Sequence, residues 1–260
     1  MPREKQPHNA VVVEQFTKQA APFAEKQEHV QQEPMRLTLA AMHLQPTDRV
    51  LDVACGPGLM ACEFAQRVQQ VMATDLTPAM LEQGRKRAAA QGLNNIVWRV
   101  ADAAALPFET DSMAVVFTRY SFHHFPDPLA VLREMTRVCA PDGRVAVVDV
   151  YSADKEQQAV YDGLEKLRDP SHTHALVLED FRALFKPAGL ELQTQTPYRL
   201  KMDAKELLAS SFPNDGDGEK FLQQLNDDIG VNRSGFDPHI EGGKTKLTFP
   251  VMIFVARKPG

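Results

Sequence analysis

The chain has 260 residues, 43% hydrophobic and 24% charged, which excludes a disordered, collagenous or coiled-coil protein. Twenty-nine Lys+Arg against 34 Asp+Glu leave a net charge of -5, so there is no electrostatic footprint for nucleic acid and no pull toward an anionic membrane. A small-molecule enzyme or a protein-binding module remains.

The N-terminus, MPREKQPHNA, is charged and lacks the apolar core of a secretory signal. Val13, Phe16, Ala20, Phe23, Met35, Leu39 and Met42 then recur at helical spacing and predict helices up to Pro46. Short apolar runs follow at 49–54, 70–76, 95–102, 113–120 and 143–151, each of strand length. Helical stretches such as 78–90 and 127–138 separate them. This alternation predicts βαβ units and a parallel sheet. Beyond Tyr151, residues 155–168, 179–186 and 203–228 read as helical, the last with a turn-rich break at 213–218. Residues 190–196 and 245–258 read as the last two strands, and Pro250 predicts a bulge or a strand start. The pattern is one α/β domain: 1–45 a helical lid, 46–151 a ligand-binding half, 152–260 a substrate cover with the final strands. No stretch is long and apolar enough to span a membrane. Cys55, Cys62 and Cys139 are too few for a disulfide framework, and no metal-ligand spacing occurs. A cytoplasmic, metal-free protein is expected, and a homodimer is the default guess for assembly.

The chemistry begins at Leu51-Asp52-Val53-Ala54-Cys55-Gly56-Pro57-Gly58, between a strand and a helix. Glycines there let a ligand approach the backbone, and the helix start offers free N–H groups. Asp75 closes the second strand, where an acid can accept hydrogen bonds from ribose hydroxyls. The competing reading is a tight turn and a helix start at Thr77-Pro78. Gly56-Pro57-Gly58-Leu59-Met60-Ala61 also matches a dinucleotide fingerprint, and Tyr151 and Lys155 mimic a reductase pair. Tyr151 ends a strand run, however, and no serine stands the required distance before it.

More residues fit another pattern. The run D-x-A-x-G-x-G, the acid Asp102 with Ala103 after the third strand, residues 118–127 (TRYSFHHFPD) and residues 141–144 (PDGR) together resemble the class I S-adenosylmethionine (SAM)-dependent methyltransferases of the ubiquinone/menaquinone type. The resemblance is close over 49–151. It implies a three-layer, doubly wound, Rossmann-like sheet of seven strands in the order 3-2-1-4-5-7-6. Only strand seven is antiparallel. It further implies SAM as cofactor and S-adenosylhomocysteine (SAH) as product. Asp52, Ala54, Gly56 and Gly58 would form the methionyl turn, Asp75 the ribose site, Leu76 and Met80 the adenine walls, Asp102 and Ala103 the adenine edge, and Arg119 the floor under the methionyl chain. Ala54 departs from the family's glycine.

The expected reaction is methyl transfer to O, N or C of a small aromatic or lipophilic acceptor. The alternative is a SAM-binding enzyme that catalyses an isomerisation, cyclisation or elimination. The expected catalytic groups are Tyr120, His172 and His174, the histidines as proton acceptors in the polar knot 169–174. The competing reading of that knot is a turn capped by Ser171 or Thr173. Phe16, Phe23, His124 and Tyr151 are the expected acceptor contacts, with His123 and His124 facing opposite ways.

Overall fold

The computed structural model describes residues 7–30 and 32–260, with backbone alone at 23 and 25–30. Helices α1 (His8–Val30) and α2 (Gln32–Met42) lead. The alternating part follows: β1 (Arg49–Val53), α3 (Leu59–Ala65), β2 (Gln70–Asp75), α4 (Pro78–Ala90), β3 (Ile96–Val100), β4 (Met113–Arg119), α5 (Pro128–Val138) and β5 (Cys139–Val150). Then come α6 (Lys155–Arg168), α7 (Leu178–Ala183), β6 (Glu191–Asp203), α8 (Ala204–Ala209), α9 (Asp217–Asp227), β7 (His239–Glu241) and β8 (Lys244–Arg257).

The central strands are apolar on both sides because both sides are covered. Val50, Val115 and Val148 pack with Phe64 and Phe117 in one core. Their neighbours Leu51, Val116 and Val147 pack with Leu132, Met135 and Phe181 in the other. This is the period of two expected of strands buried between helical layers. Local signals start the helices. Asp127 accepts from Ala130 N at 3.0 Å with Pro128 next to it, and Asp154 accepts from Gln157 N at 2.8 Å.

The sheet order is β3-β2-β1-β4-β5-β8-β6. Neighbours among β1 to β5 are parallel, and β8 runs antiparallel to both β5 and β6. That is the expected order and orientation, with one addition. The short β7 pairs with β8 through Gly242 and Gly243, both at positive φ, so the described sheet has eight strands rather than seven. Strand β6 also runs well past the expected 190–196, pairing with β8 as far as Asp203.

No bulge occurs at Pro250, which pairs in register with Arg199. Its carbonyl accepts from Tyr151 N at 3.2 Å, on the side of β5. A strand residue's N–H and C=O point the same way. The missing donor therefore faces Tyr151, one residue past the end of β5 at Val150, so the proline removes only the last bond of this ladder. The chain changes winding direction between β1 and β4, so a crevice opens at the carboxyl ends of those strands.

Candidate active site

A cavity of about 340 Å3 occupies that crevice. Its walls include Asp52, Ala54, Gly56, Asp75, Leu76, Asp102, Ala103 and Arg119, each from the carboxyl end of a strand or the turn after it, and Met80 from the first turn of α4. Ala54 holds φ 53° and Gly56 φ 54°, so the turn after β1 is left-handed at both positions. A methyl side chain at such φ costs about 1–2 kcal/mol, and Ala54 bears that cost. The Asp75 carboxylate ties this turn to the next. It accepts from Gly56 N at 2.9 Å and from Thr77 N at 2.8 Å.

Gly58 does not line the cavity. A Cβ there would lie 2.4 Å from the Trp98 ring, and one on Gly84 would meet the same ring at 2.4 Å. Gly56 faces open space, while Gly58 seats Trp98 between α3 and α4.

Two polar atoms beside the cavity have no partner: Asp52 Oδ2 and Arg119 Nη1. Asp52 is 2% exposed. Burial raises its pKa to about 8; the Arg119 charge opposes this and the Asp75 charge adds to it. The Arg119 guanidinium lies 5.0 Å from the centre of the Tyr120 ring. A carboxyl group that can ionise against a cation and a guanidinium, each with an open position, match the ammonium and carboxylate of an amino-acid tail. Asp102 accepts from Ala104 N at 2.9 Å and from the Asn9 amide at 2.8 Å.

A second cavity of about 440 Å3 adjoins the first, and Phe16, Tyr120 and His124 line both. Its walls mix apolar side chains, Tyr161, Leu200, Leu207 and Phe249 among them, with His123, Glu165, Arg168 and Asp169. Helix α1 roofs both cavities. Asn9 and Val12 lie over the first, Gln19 and Pro22 over the second, and Phe16 over the seam. Its fastenings are polar: Gln19 donates to Ser211 O at 3.1 Å, and His8 Nε2 donates to His124 O at 2.7 Å. The Phe23 side chain lies outside the described residues.

The tandem histidines do not face opposite ways. They sit on a single 3-10 turn, 122–124, with ring centres 4.2 Å apart, and both line the second cavity. The alternation expected of a strand is lost because β4 ends at Arg119. Asp149, buried in the apolar run of β5, organises this turn. One of its oxygens accepts from Ser121 N at 2.8 Å and Phe122 N at 2.6 Å. The other accepts from His123 Nδ1 at 2.6 Å and Val150 N at 2.7 Å. Burial opposes a charge on His123, but Asp149 outweighs it and the ring's pKa is raised. Burial, helped by the neighbouring His123, drives His124 the other way, to about 3. His124 Nδ1 donates to Ser171 O at 3.0 Å, so the neutral ring keeps its lone pair on Nε2.

The expected proton acceptors His172 and His174 line neither cavity. His172 is 4% exposed, and its Nε2 donates to Asp162 at 2.8 Å. The knot around them instead props the tandem histidines. Thr173 donates to His123 O through its N–H at 2.8 Å and its hydroxyl at 2.7 Å, and Ser171 O receives His124. Neither expected cap forms; Asp169 makes the turn by accepting from Ser171 N at 2.9 Å. Tyr151 also misses the cavities and packs against the core on the opposite sheet face. Tyr120 stands where expected, at φ 55°, its hydroxyl 2.5 Å from that of Tyr198. Sequence reasoning missed Asp149, Tyr161, Glu165, Arg168 and Tyr198. Only Asp149 left a signal, a lone acid inside a continuous apolar strand.

A doubly wound sheet with a glycine turn and acids at successive strand ends defines a nucleoside-binding class. Comparison with known proteins resolves the family. Residues 50–143 match a family model described as a methyltransferase domain. Over 179 residues the chain is 32% identical to the uncharacterized methyltransferase YcgJ of Bacillus subtilis, covering 68% of this chain and 71% of that one. The YcgJ crystal structure superimposes with a TM-score of 0.80 at 25% identity, over 87% of this chain and 98% of that one. The ubiquinone/menaquinone biosynthesis C-methyltransferase UbiE of a Ruegeria species is 37% identical over 128 residues, 48% of this chain and 49% of that one. The 27-O-demethylrifamycin SV methyltransferase of Amycolatopsis mediterranei is 32% identical over 153 residues, 57% of this chain and 56% of that one. The chain belongs to the SAM-dependent methyltransferase family. No helix among the described residues is long and apolar enough to cross a membrane.

Proposed function

We propose that the chain transfers a methyl group from SAM to a hydroxyl oxygen of a small, largely apolar acceptor. When bound, SAM supplies a methyl group already activated by its sulfonium. The open positions on Asp52 and Arg119 would hold the ammonium and carboxylate of its tail, with Gly56 N–H nearby. Asp75 would receive the ribose hydroxyls, Leu76 and Met80 would flank the adenine, and Asp102 with Ala103 would meet its edge.

The second cavity would hold the acceptor. The observation that carries the reading is the seam itself: two cavities share Phe16, Tyr120 and His124, and the paired His123 and Asp149 stand on the acceptor side. Phe16, Tyr120 and His124 would align the acceptor and exclude water, which makes the transfer effectively intramolecular. Asp149 fixes the tautomer of His123, leaving Nε2 to take the hydroxyl's proton as the C–O bond forms. A proton-accepting pair suits a hydroxyl better than a carbon nucleophile. The O-methylating relative is consistent with this, though it spans just over half of each chain.

The test is incubation with methyl-labelled SAM and phenolic and macrocyclic alcohols, with SAH and labelled product followed together. Label should appear as an O-methyl ether in step with SAH. A product formed with SAM unconsumed would place the chain among the non-methylating enzymes of this fold. The Asp149→Asn variant should lower kcat by about 100-fold while SAM affinity holds within a few-fold. Unchanged turnover would remove His123 from the reaction.

A further inference from the structure

The inner wall of the second cavity carries a polar stripe that proton transfer does not use. Tyr161, Glu165 and Arg168 project from one face of α6 at i, i+4 and i+7, and all three line the cavity. The Tyr161 ring is 1% exposed, yet its hydroxyl has no hydrogen-bond partner. Burial keeps that phenol protonated, so it is a standing donor. A buried hydroxyl left unpaired is costly, and a structure retains one where something else satisfies it. Arg168 forks onto Glu165 through Nε at 3.0 Å and Nη2 at 2.5 Å, and Nη1 donates to Ser211 Oγ at 2.9 Å. Those bonds use three of its five N–H groups. His123 lies within reach of the same ligand, because its ring and that of Tyr161 stand 5.6 and 6.1 Å from the ring of His172.

The charges around the stripe select what can enter. Arg168 is matched by Glu165, Lys201 pairs with Glu241, and Lys246 meets Asp203 at 3.3 Å. Every lysine and arginine lining this cavity therefore has a carboxylate partner, and Asp169 adds a further negative charge. An entering carboxylate or phosphate would find its cations taken and would face Glu165 and Asp169. An uncharged oxygen would meet the Tyr161 hydroxyl and the spare Arg168 N–H groups without that repulsion.

We infer that the Tyr161 hydroxyl, backed by Arg168, forms a specificity subsite for an uncharged carbonyl or hydroxyl oxygen on the acceptor, remote from the atom that is methylated. This rests on the second cavity being the acceptor site. The acceptor is then a neutral molecule with an apolar body and at least two oxygens, one presented to His123 and one to Tyr161.

The test uses the SAH-loaded full chain and three probes of similar size. 7-Hydroxycoumarin carries a hydroxyl and a remote carbonyl, 2-naphthol lacks the second oxygen, and 7-hydroxycoumarin-3-carboxylate adds a charge. Calorimetry should find 7-hydroxycoumarin bound about tenfold tighter than 2-naphthol, with the carboxylate weakest. The Tyr161→Phe variant should lose that tenfold preference and leave 2-naphthol affinity within twofold. Its unfolding midpoint without ligand should equal or exceed the wild type's, since no protein hydrogen bond is lost. Equal effects of the variant on both neutral probes, or no effect, would overturn the subsite while leaving the acceptor site standing. If SAH binds and no probe does, both readings fall. A charged probe that binds tightest would overturn the selectivity for uncharged oxygen.

Discussion

Asp52 shows how a single buried side chain stores a ligand preference. Its pKa is raised to about 8 against an ordinary value near 4, so the folded state holds a proton that the unfolded state gives up between those values. Its favourable contribution is complete below pH 4 and is lost as pH rises through about 8. The Asp52→Asn variant should therefore be the more stable protein above pH 8, by about 1–3 kcal/mol. Its affinity for SAM should fall at least tenfold, because an amide cannot ionise to meet the ammonium. Urea unfolding from pH 6 to 9 with calorimetry against SAM checks both halves; a pH-independent difference would sink the first. His123 titrates with the opposite consequence for rate. As the proposed proton acceptor it must be neutral, and its pKa is raised, so kcat should climb with pH through that raised value and then level. In Asp149→Asn the climb should move to lower pH, as the charge that holds the proton is gone.

At the scale of elements, two glycines and one acid set the geometry. The Trp98 ring of β3 is wedged between Gly58 and Gly84, each of which would place a Cβ 2.4 Å from it. Gly84→Ala improves the helix propensity of α4 by about 1 kcal/mol, yet overpacking of this kind costs about 1–3 kcal/mol. The variant should therefore be destabilised overall, with a shifted emission from Trp98, the chain's one tryptophan; a gain in stability would show that the ring can move aside. The turn after β4 depends on Asp149 in the same way. Asp149→Ala would strand the N–H groups of Ser121, Phe122 and Val150 together with His123 Nδ1. It should cost about 3 kcal/mol or more and disorder the wall shared by both cavities.

Across the whole molecule, the sheet holds one cavity at the winding reversal while α1 and the chain beyond β5 close the other. Ligands that bind only the folded state raise its stability by mass action. SAM or SAH at 100 times its Kd should add about 2.7 kcal/mol, a rise of several °C in Tm, while NAD should add nothing. A shift with NAD would return the chain to the dinucleotide-binding class that Gly56-Pro57-Gly58 and Ala61 also permit. Removing residues 1–30 should lower SAM affinity, because Asn9, Val12 and Phe16 roof the cavity; unchanged affinity would show that α1 only rests on it.

The strand order, the glycine turn, and the acids Asp52, Asp75 and Asp102 at successive strand ends were legible in the sequence. The strand order came with the family resemblance; the turn and the acids are local patterns, and a parallel sheet carries local patterns to one crevice by its topology. The second cavity was not legible in the same way. His172 and His174 looked like proton acceptors but line neither cavity, and their neighbours Ser171 and Thr173 prop the tandem histidines, while Tyr151 turned to the far face. His123 meets Asp149 from another strand, and Tyr120 meets Tyr198 across 78 positions of sequence. The Phe16 ring meets that of His124 in a T-shaped contact, centres 5.0 Å apart, from the first helix of the chain. No spacing rule governs such meetings, because side-chain direction in a loop or a covering helix is set by what packs against it. The sequence by itself determined the alternation of strands and helices and the glycine turn; only the tertiary structure decided which side chains line the second cavity, since that depends on contacts between distant elements.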